Sequence, residues 1–188
     1  MILSDLQILK AMEEGSIVID PFDRSRLGSN SYDVTLGNKL VMYRLGSSPH
    51  APLDPKIDNP TCSMSIPEDG VVLKPRQLYL ASTVEYTETH EHVPFLDGKS
   101  SVGRLGIFVH ATAGRGDVGF CNHWTLELSV VEPVIVYPGM PIGQIIFFET
   151  GSVEVPYNKK STAKYNGRNP HPMPSQMWRN FMKGGSNE

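Results

Sequence analysis

Apolar and polar positions change rhythm once along the chain. Near the start Leu6, Leu9 and Met12 recur at helical spacing, behind Ser4 and Gln7 and ahead of Gly15. Ser with Gln three residues on is a capping box, and Gly past the last periodic residue is a stop, so this stretch predicts a helix. Beyond it the apolar runs shorten. Residues 31–36, 71–73, 78–82, 106–110, 124–131, 134–137 and 144–148 predict short strands, punctuated by Gly, Pro, Asn and Asp. The pattern is that of an all-β, barrel or sandwich domain with a short N-terminal helix. Residues 46–61 are polar and Pro-rich and read as a surface excursion. From Tyr157 onward the chain reads as an extended C-terminal arm, with a helical turn near 177–182. An arm that the domain does not need for its own core is expected to pack on a neighbouring subunit.

Composition narrows the class. At 188 residues, 39% hydrophobic and 20% charged, the chain suits one globular domain over 1–188, its arm occupying about 157–188. No apolar run approaches the ~18 residues of a membrane span. No basic leader precedes an apolar stretch, so no membrane partner is expected and the cytoplasm is the expected compartment. A net charge of −3 argues against a nucleic-acid partner, which calls for a basic face, yet leaves room for a small phosphorylated ligand. Cys62 and Cys121 are far apart, and no Cys-x-x-Cys pair offers a metal site. The histidines (His50, His90, His92, His110, His123 and His171) show no metal spacing. His90 and His92 share a strand face without a third ligand nearby, so no protein-held metal is expected.

Three segments have the residue types for chemistry. Gly98-Lys99-Ser100-Ser101-Val102-Gly103-Arg104 combines small residues, hydroxyls and two cations, which suits phosphate oxygens; the alternative is a basic surface turn. It lacks the spacing of a Walker loop. Residues 112–120 form a Gly-rich loop in which Asp117 is either a turn residue or an acceptor for a sugar hydroxyl. In Trp124-Thr125-Leu126-Glu127-Leu128-Ser129, strand alternation puts Trp124, Leu126 and Leu128 on one face and Thr125, Glu127 and Ser129 on the other. Glu is disfavoured in strands. Glu127 therefore faces either solvent or a pocket, where a carboxylate can shuttle protons.

In their order and spacing these segments resemble the dCTP deaminase family, which shares its fold with the trimeric dUTPases. The likeness runs from Met1 to about Phe181 and is weakest over about 44–69. It is carried by Ser31-Tyr32-Asp33-Val34-Thr35-Leu36-Gly37, the segments 98–106 and 110–120, Thr125-Leu126-Glu127-Leu128, Pro138-Gly139-Met140 with Ile142-Gly143-Gln144, and Lys164-Tyr165. The resemblance implies a distorted β-barrel, jelly-roll-like homotrimer with active sites between subunits and an arm that closes over the nucleotide.

It also implies roles. Glu127 is the expected general base for water attacking C4 of cytosine. Ser100 and Arg104 position that water and steady the developing charge, and the backbone near Ala113 walls it in. Lys99 and Ser101 meet phosphates, Asp117 the 3′-hydroxyl, and the backbone at Thr125 and Leu126 the base. Gln144, Tyr157 and Lys164 are further nucleotide contacts. Arg168 stands where the family often has glutamine, and arginine suits a phosphate there. Zinc deaminases carry His-x-Glu and Pro-Cys-x-x-Cys segments, and this chain has neither. The expectation is a zinc-free reaction, with magnesium arriving on the triphosphate. The expected product is dUTP; the alternatives are dUMP with pyrophosphate from a bifunctional enzyme, a plain dUTPase, or a silent nucleotide-sensing module. Arg115 after Ala113-Gly114 is more like the deaminase-only members.

Overall fold

The computed structural model describes residues 1–44 and 52–182. His50 and part of the 46–61 excursion lie outside them, as does the arm beyond 182. Helix α1 spans Asp5–Glu13, and both halves of the expected capping box form: Gln7 N–H donates to Ser4 Oγ at 3.4 Å, and Ser4 N–H donates to Gln7 Oε1 at 2.9 Å. Gly15 stops the helix at φ 73°, a conformation that favours glycine, with Ser16 N–H bonded to Ala11 O and Gly15 N–H to Met12 O. The buried stripe differs from the expected one. Ile8 and Ala11 face the core, while Leu6 is 71% exposed. Leu3, ahead of the cap, is buried instead.

Ten strands follow: β1 Ile17–Asp20, β2 Tyr32–Tyr43, β3 Thr61–Ser65, β4 Val71–Leu73, β5 Tyr79–Thr89, β6 His92–Gly98, β7 Ile107–Phe108, β8 Cys121–Val130, β9 Val134–Val136 and β10 Pro141–Glu149. They pair antiparallel in the order β6-β10-β2-β5-β8-β7, with β1 added to β5, β3 added to β2, and β4 paired with β9. The result is a distorted, nearly closed barrel. Tyr32, Leu36, Leu40, Leu96, Leu126, Leu128, Ile145 and Phe147 fill it, all essentially without solvent contact.

All seven expected strands are present; β2, β5, β8 and β10 run longer than expected, and β7 and β9 shorter. The sequence patterns of β1, β3 and β6 escaped notice. β3 (TCSMS) alternates, but with only Cys62 and Met64 as its apolar positions its signal is weak. β6 contains Pro94, which is tolerated because β6 has a strand partner on one side only, β10. Its other side receives the Gly-rich loop instead.

One polar group in the barrel wall has a pH consequence. The His92 ring is pushed below its ordinary value of 6.5 by burial, against the pull of Glu91, Glu149 and Glu14, and its Nδ1 has no partner. A base with a depressed folded-state pKa binds its proton more readily in the unfolded chain. Its contribution to stability is present above about pH 6.5 and is lost as pH falls below that. His92→Gln is expected to flatten the fall of urea midpoints as pH drops below about 6.5. An unchanged slope would show that His92 does not titrate across unfolding.

Candidate active site

The Gly-rich loop is held by the edge of β6. Leu96 N–H donates to Gly114 O at 2.6 Å, and Gly116 N–H donates to Pro94 O at 2.8 Å. This approach leaves no room for side chains. A Cβ at Gly114 would stand 2.3 Å from Leu96 O, and one at Gly116 would stand 2.9 Å from Pro94 Cγ and 3.0 Å from the Trp124 ring. The glycines therefore let loop 111–117 lie flat against the barrel and face β8 across a hollow.

That hollow is a cavity of about 540 Å³. Glu127 and Thr125 enter it from β8, as strand alternation requires, while Trp124, Leu126 and Leu128 are buried. Ala113 and Asp117 enter from the loop, Phe120 from the start of β8, and Tyr157 from the arm. The Glu127 carboxylate does not float: its Oε2 accepts the Ala111 N–H at 2.8 Å, and its own N–H donates to Val109 O at 2.9 Å. One carboxylate oxygen is thus fixed by a backbone donor and the other is left for a ligand. Phe120 lies tilted on Trp124 with ring centroids 4.7 Å apart and 6.2 Å from Tyr157, giving the cavity an aromatic wall.

The second group of expected residues assembles elsewhere. Lys99, Ser100, Ser101, Arg104 and Gln144 lie outside this cavity. Gln144 ties three sequence segments together: its Oε1 accepts from Ser31 Oγ at 3.1 Å, and its Nε2 donates to Gly98 O at 3.1 Å. Lys99 pairs with Asp33, and Arg104 donates to Ser100 Oγ across the short helix α2, Ser100–Gly103. Gly143 permits the contact between β10 and β6, since a Cβ there would meet Asp97 O at 2.9 Å. One chain therefore gathers the expected residues in two separate places, two candidate half-sites: a carboxylate-bearing cavity and a cationic, hydroxyl-rich corner.

The arm residues divide as well. Through Met182 the arm lies along its own chain, where its backbone finds partners. Gly167 N–H donates to Cys121 O, Met173 N–H to Thr125 Oγ1 and Ser175 N–H to the Tyr43 hydroxyl, while Ser82 Oγ donates to Pro170 O. Asn122, 3% exposed, staples the arm by donating to Tyr165 O and accepting from Asn169 N–H. The Tyr157 hydroxyl accepts the N–H groups of Lys164 and Tyr165, so only its ring addresses the cavity. Lys164 borders a separate surface hollow with Asn169 and Arg179. Arg168 pairs with Asp20 and lies 4.5 Å over the Tyr86 ring, away from both half-sites.

Sequence reading gave no role to Ala111, Asn122, Tyr165 and Met173. Ala111 acts through its N–H, which no side-chain pattern can signal, and the other three depend on where the arm lands.

Residues 2–150 match the family model described as dCTP deaminase-like. The chain belongs to that family. A protein of Cytophaga hutchinsonii named "dCTP deaminase, dUMP-forming" is 47% identical over 97% of this chain and 100% of its own length. A protein of Clostridium acetobutylicum with the same name is 45% identical over 97% of this chain and 99% of its own. Among solved structures, 2'-deoxycytidine 5'-triphosphate deaminase from Agrobacterium tumefaciens superimposes with a TM-score of 0.59 at 23% identity, covering 78% of this chain and 47% of that longer one. This last likeness concerns the fold alone.

Proposed function

We propose that the protein converts dCTP to dUMP, ammonia and pyrophosphate in the cytoplasmic nucleotide pool, supplying precursor for thymidylate. The observation that carries the reading is Glu127: a strand carboxylate turned into a cavity and fixed by the Ala111 N–H. The names of the relatives favour dUMP over dUTP, the product that the sequence reading put first.

The chemistry needs a base, a wall and donors. Water approaches C4 of the cytosine, and the free oxygen of Glu127 takes its proton as the C–O bond forms. The protonated Glu127 returns that proton to the 4-amino group, the C4–N4 bond breaks, ammonia leaves, and the proton remaining on the C4 hydroxyl passes to N3 to give uracil. A second water then attacks the α-phosphorus of the uracil nucleotide and pyrophosphate departs. Asp117 accepts the 3′-hydroxyl, and Phe120 and Tyr157 flank the sugar and base.

Magnesium belongs to the nucleotide in this reading. Among the described residues a single group of three potential ligands converges, Glu88, His90 and Cys121, and it does not line the cavity. In this reading the C4 step needs no zinc, its base being Glu127.

The cationic corner completes the site from a neighbouring subunit. Ser100 and Arg104 have the donors for the water and the developing charge, yet they lie outside the Glu127 cavity of the same chain. A trimer in which the corner of one subunit faces the cavity of the next resolves this.

Incubation with dCTP and magnesium, with products separated by anion exchange, tests the reading. It is expected to give dUMP and pyrophosphate in equal amounts. Accumulation of dUTP alone would make the protein a simple deaminase, and unchanged dCTP with turnover of added dUTP would make it a dUTPase.

A further inference from the structure

We propose that Glu88, His90 and Cys121 form a binding site for a divalent cation of the zinc class, separate from the nucleotide cavity. The sheet builds it. Glu88 on β5 and Cys121 on β8 are register partners, and His90 stands two residues beyond Glu88, on the same face. Their donor atoms, a carboxylate oxygen, the imidazole Nε2 and Sγ, all lie within 4.8 Å of one another.

The donor set and spacing fit such an ion. Carboxylate, imidazole and thiolate together suit zinc or cobalt, whereas magnesium and calcium prefer oxygen alone. In a tetrahedral zinc site, oxygen and nitrogen ligands stand about 3.3 Å apart and sulfur about 3.6 Å from each. His90 Nε2 and Glu88 Oε2 are 2.8 Å apart. Opening that contact by about half an ångström brings the pair to the oxygen–nitrogen spacing of such a site.

The support around the ligands is in place. The Tyr86 hydroxyl donates to Glu88 Oε1 at 2.8 Å, fixing one carboxylate oxygen while the other faces His90. The backbone is tied on both sides: His90 N–H to Ser16 O, Thr89 N–H to Phe120 O, and Gly119 N–H to Thr89 O at 2.6 Å. Asn158 Nδ2 is 4.0 Å from Cys121 Sγ, and its Oδ1 is buried without a partner. A water on the fourth position of the ion would give that oxygen a donor.

The site is distinct from the C4 chemistry. Cys121 and Glu127 are six residues apart on one strand, about 20 Å. Its ligands join the end of β5 to the start of β8, where Gly167 and Asn166 of the arm bond to the Cys121 backbone. The ion therefore clamps the sheet at the place where the arm is fastened.

The test is titration of the metal-stripped full-length protein with Co²⁺, read by absorption. One equivalent is expected to bind per chain and to give a cobalt–thiolate charge-transfer band, with Zn²⁺ displacing it. Cys121→Ser should lose the band and Cys62→Ser should keep it. His90→Ala, at an exposed position that leaves folding intact, should weaken Co²⁺ binding at least about tenfold. Absence of the band in the unaltered protein, its survival in Cys121→Ser, or unchanged affinity in His90→Ala would overturn the site.

Discussion

Glu127→Gln is expected to lower the turnover of dCTP by about 10²–10⁴-fold while leaving nucleotide affinity within a few-fold of normal. The substitution keeps shape and removes basicity. The glutamine carbonyl oxygen can still accept the Ala111 N–H, so the loop and the strand hold their places. The remaining amide nitrogen cannot accept a proton from water. The loss should fall on kcat with KM little changed, the pattern of a group that acts in the transition state. Single-turnover measurement of ammonia release, alongside nucleotide binding by calorimetry, separates the two. Near-normal turnover would remove Glu127 as the base. Lost binding with lost turnover would make it a substrate-positioning residue.

Arg26→Met should give the largest loss of stability short of core truncation. Glu85 is 0% exposed, and three donors meet it: Arg26 Nη1 at 2.6 Å, Thr35 N–H at 2.8 Å and Thr35 Oγ1 at 2.8 Å. Arg26 supplies the charge, and its own side chain is 31% exposed. Removing it leaves a buried carboxylate without a counter-ion, which costs about 3–5 kcal/mol in fully buried cases. Partial solvent access to Arg26 places the expected loss at the lower end, about 3 kcal/mol. Urea unfolding at constant m-value measures it. The further change Glu85→Leu in the Arg26→Met background should recover much of the loss, because no buried charge then remains. A shift under about 1 kcal/mol would mean that solvent or Thr35 alone satisfies Glu85.

The legible and illegible parts of this protein divide along a physical line. Features written in adjacent residues could be read: the Ser4–Gln7 cap, the Gly15 stop, and the alternation that turns Glu127 and Thr125 toward one face and Leu126 toward the other. The Gly-rich character of 112–120 marked a loop, though not its close approach to the edge of β6. Strands whose apolar signal was diluted, such as β3 and the Pro-bearing β6, were lost because their partners stabilise them, not their own composition. Pairings across the sheet were illegible for the same reason. His90 has no third ligand within reach along the chain, and register with β8 supplies one 31 residues away, at Cys121. Arg168 shows the converse. Its position in the motif suggests phosphate, while folding offers it Asp20 and the Tyr86 ring.

The division of the candidate site into a carboxylate cavity and a cationic corner has a genetic consequence. In the proposed trimer a defect in the cavity and a defect in the corner would be recessive to each other in a mixed assembly. Glu127→Gln and Arg104→Ala chains, each inactive when alone, would restore activity when unfolded and refolded together. In an equal mixture about a quarter of the shared sites receive an intact cavity from one chain and an intact corner from its neighbour. Two silent alleles would thus complement within a single protein.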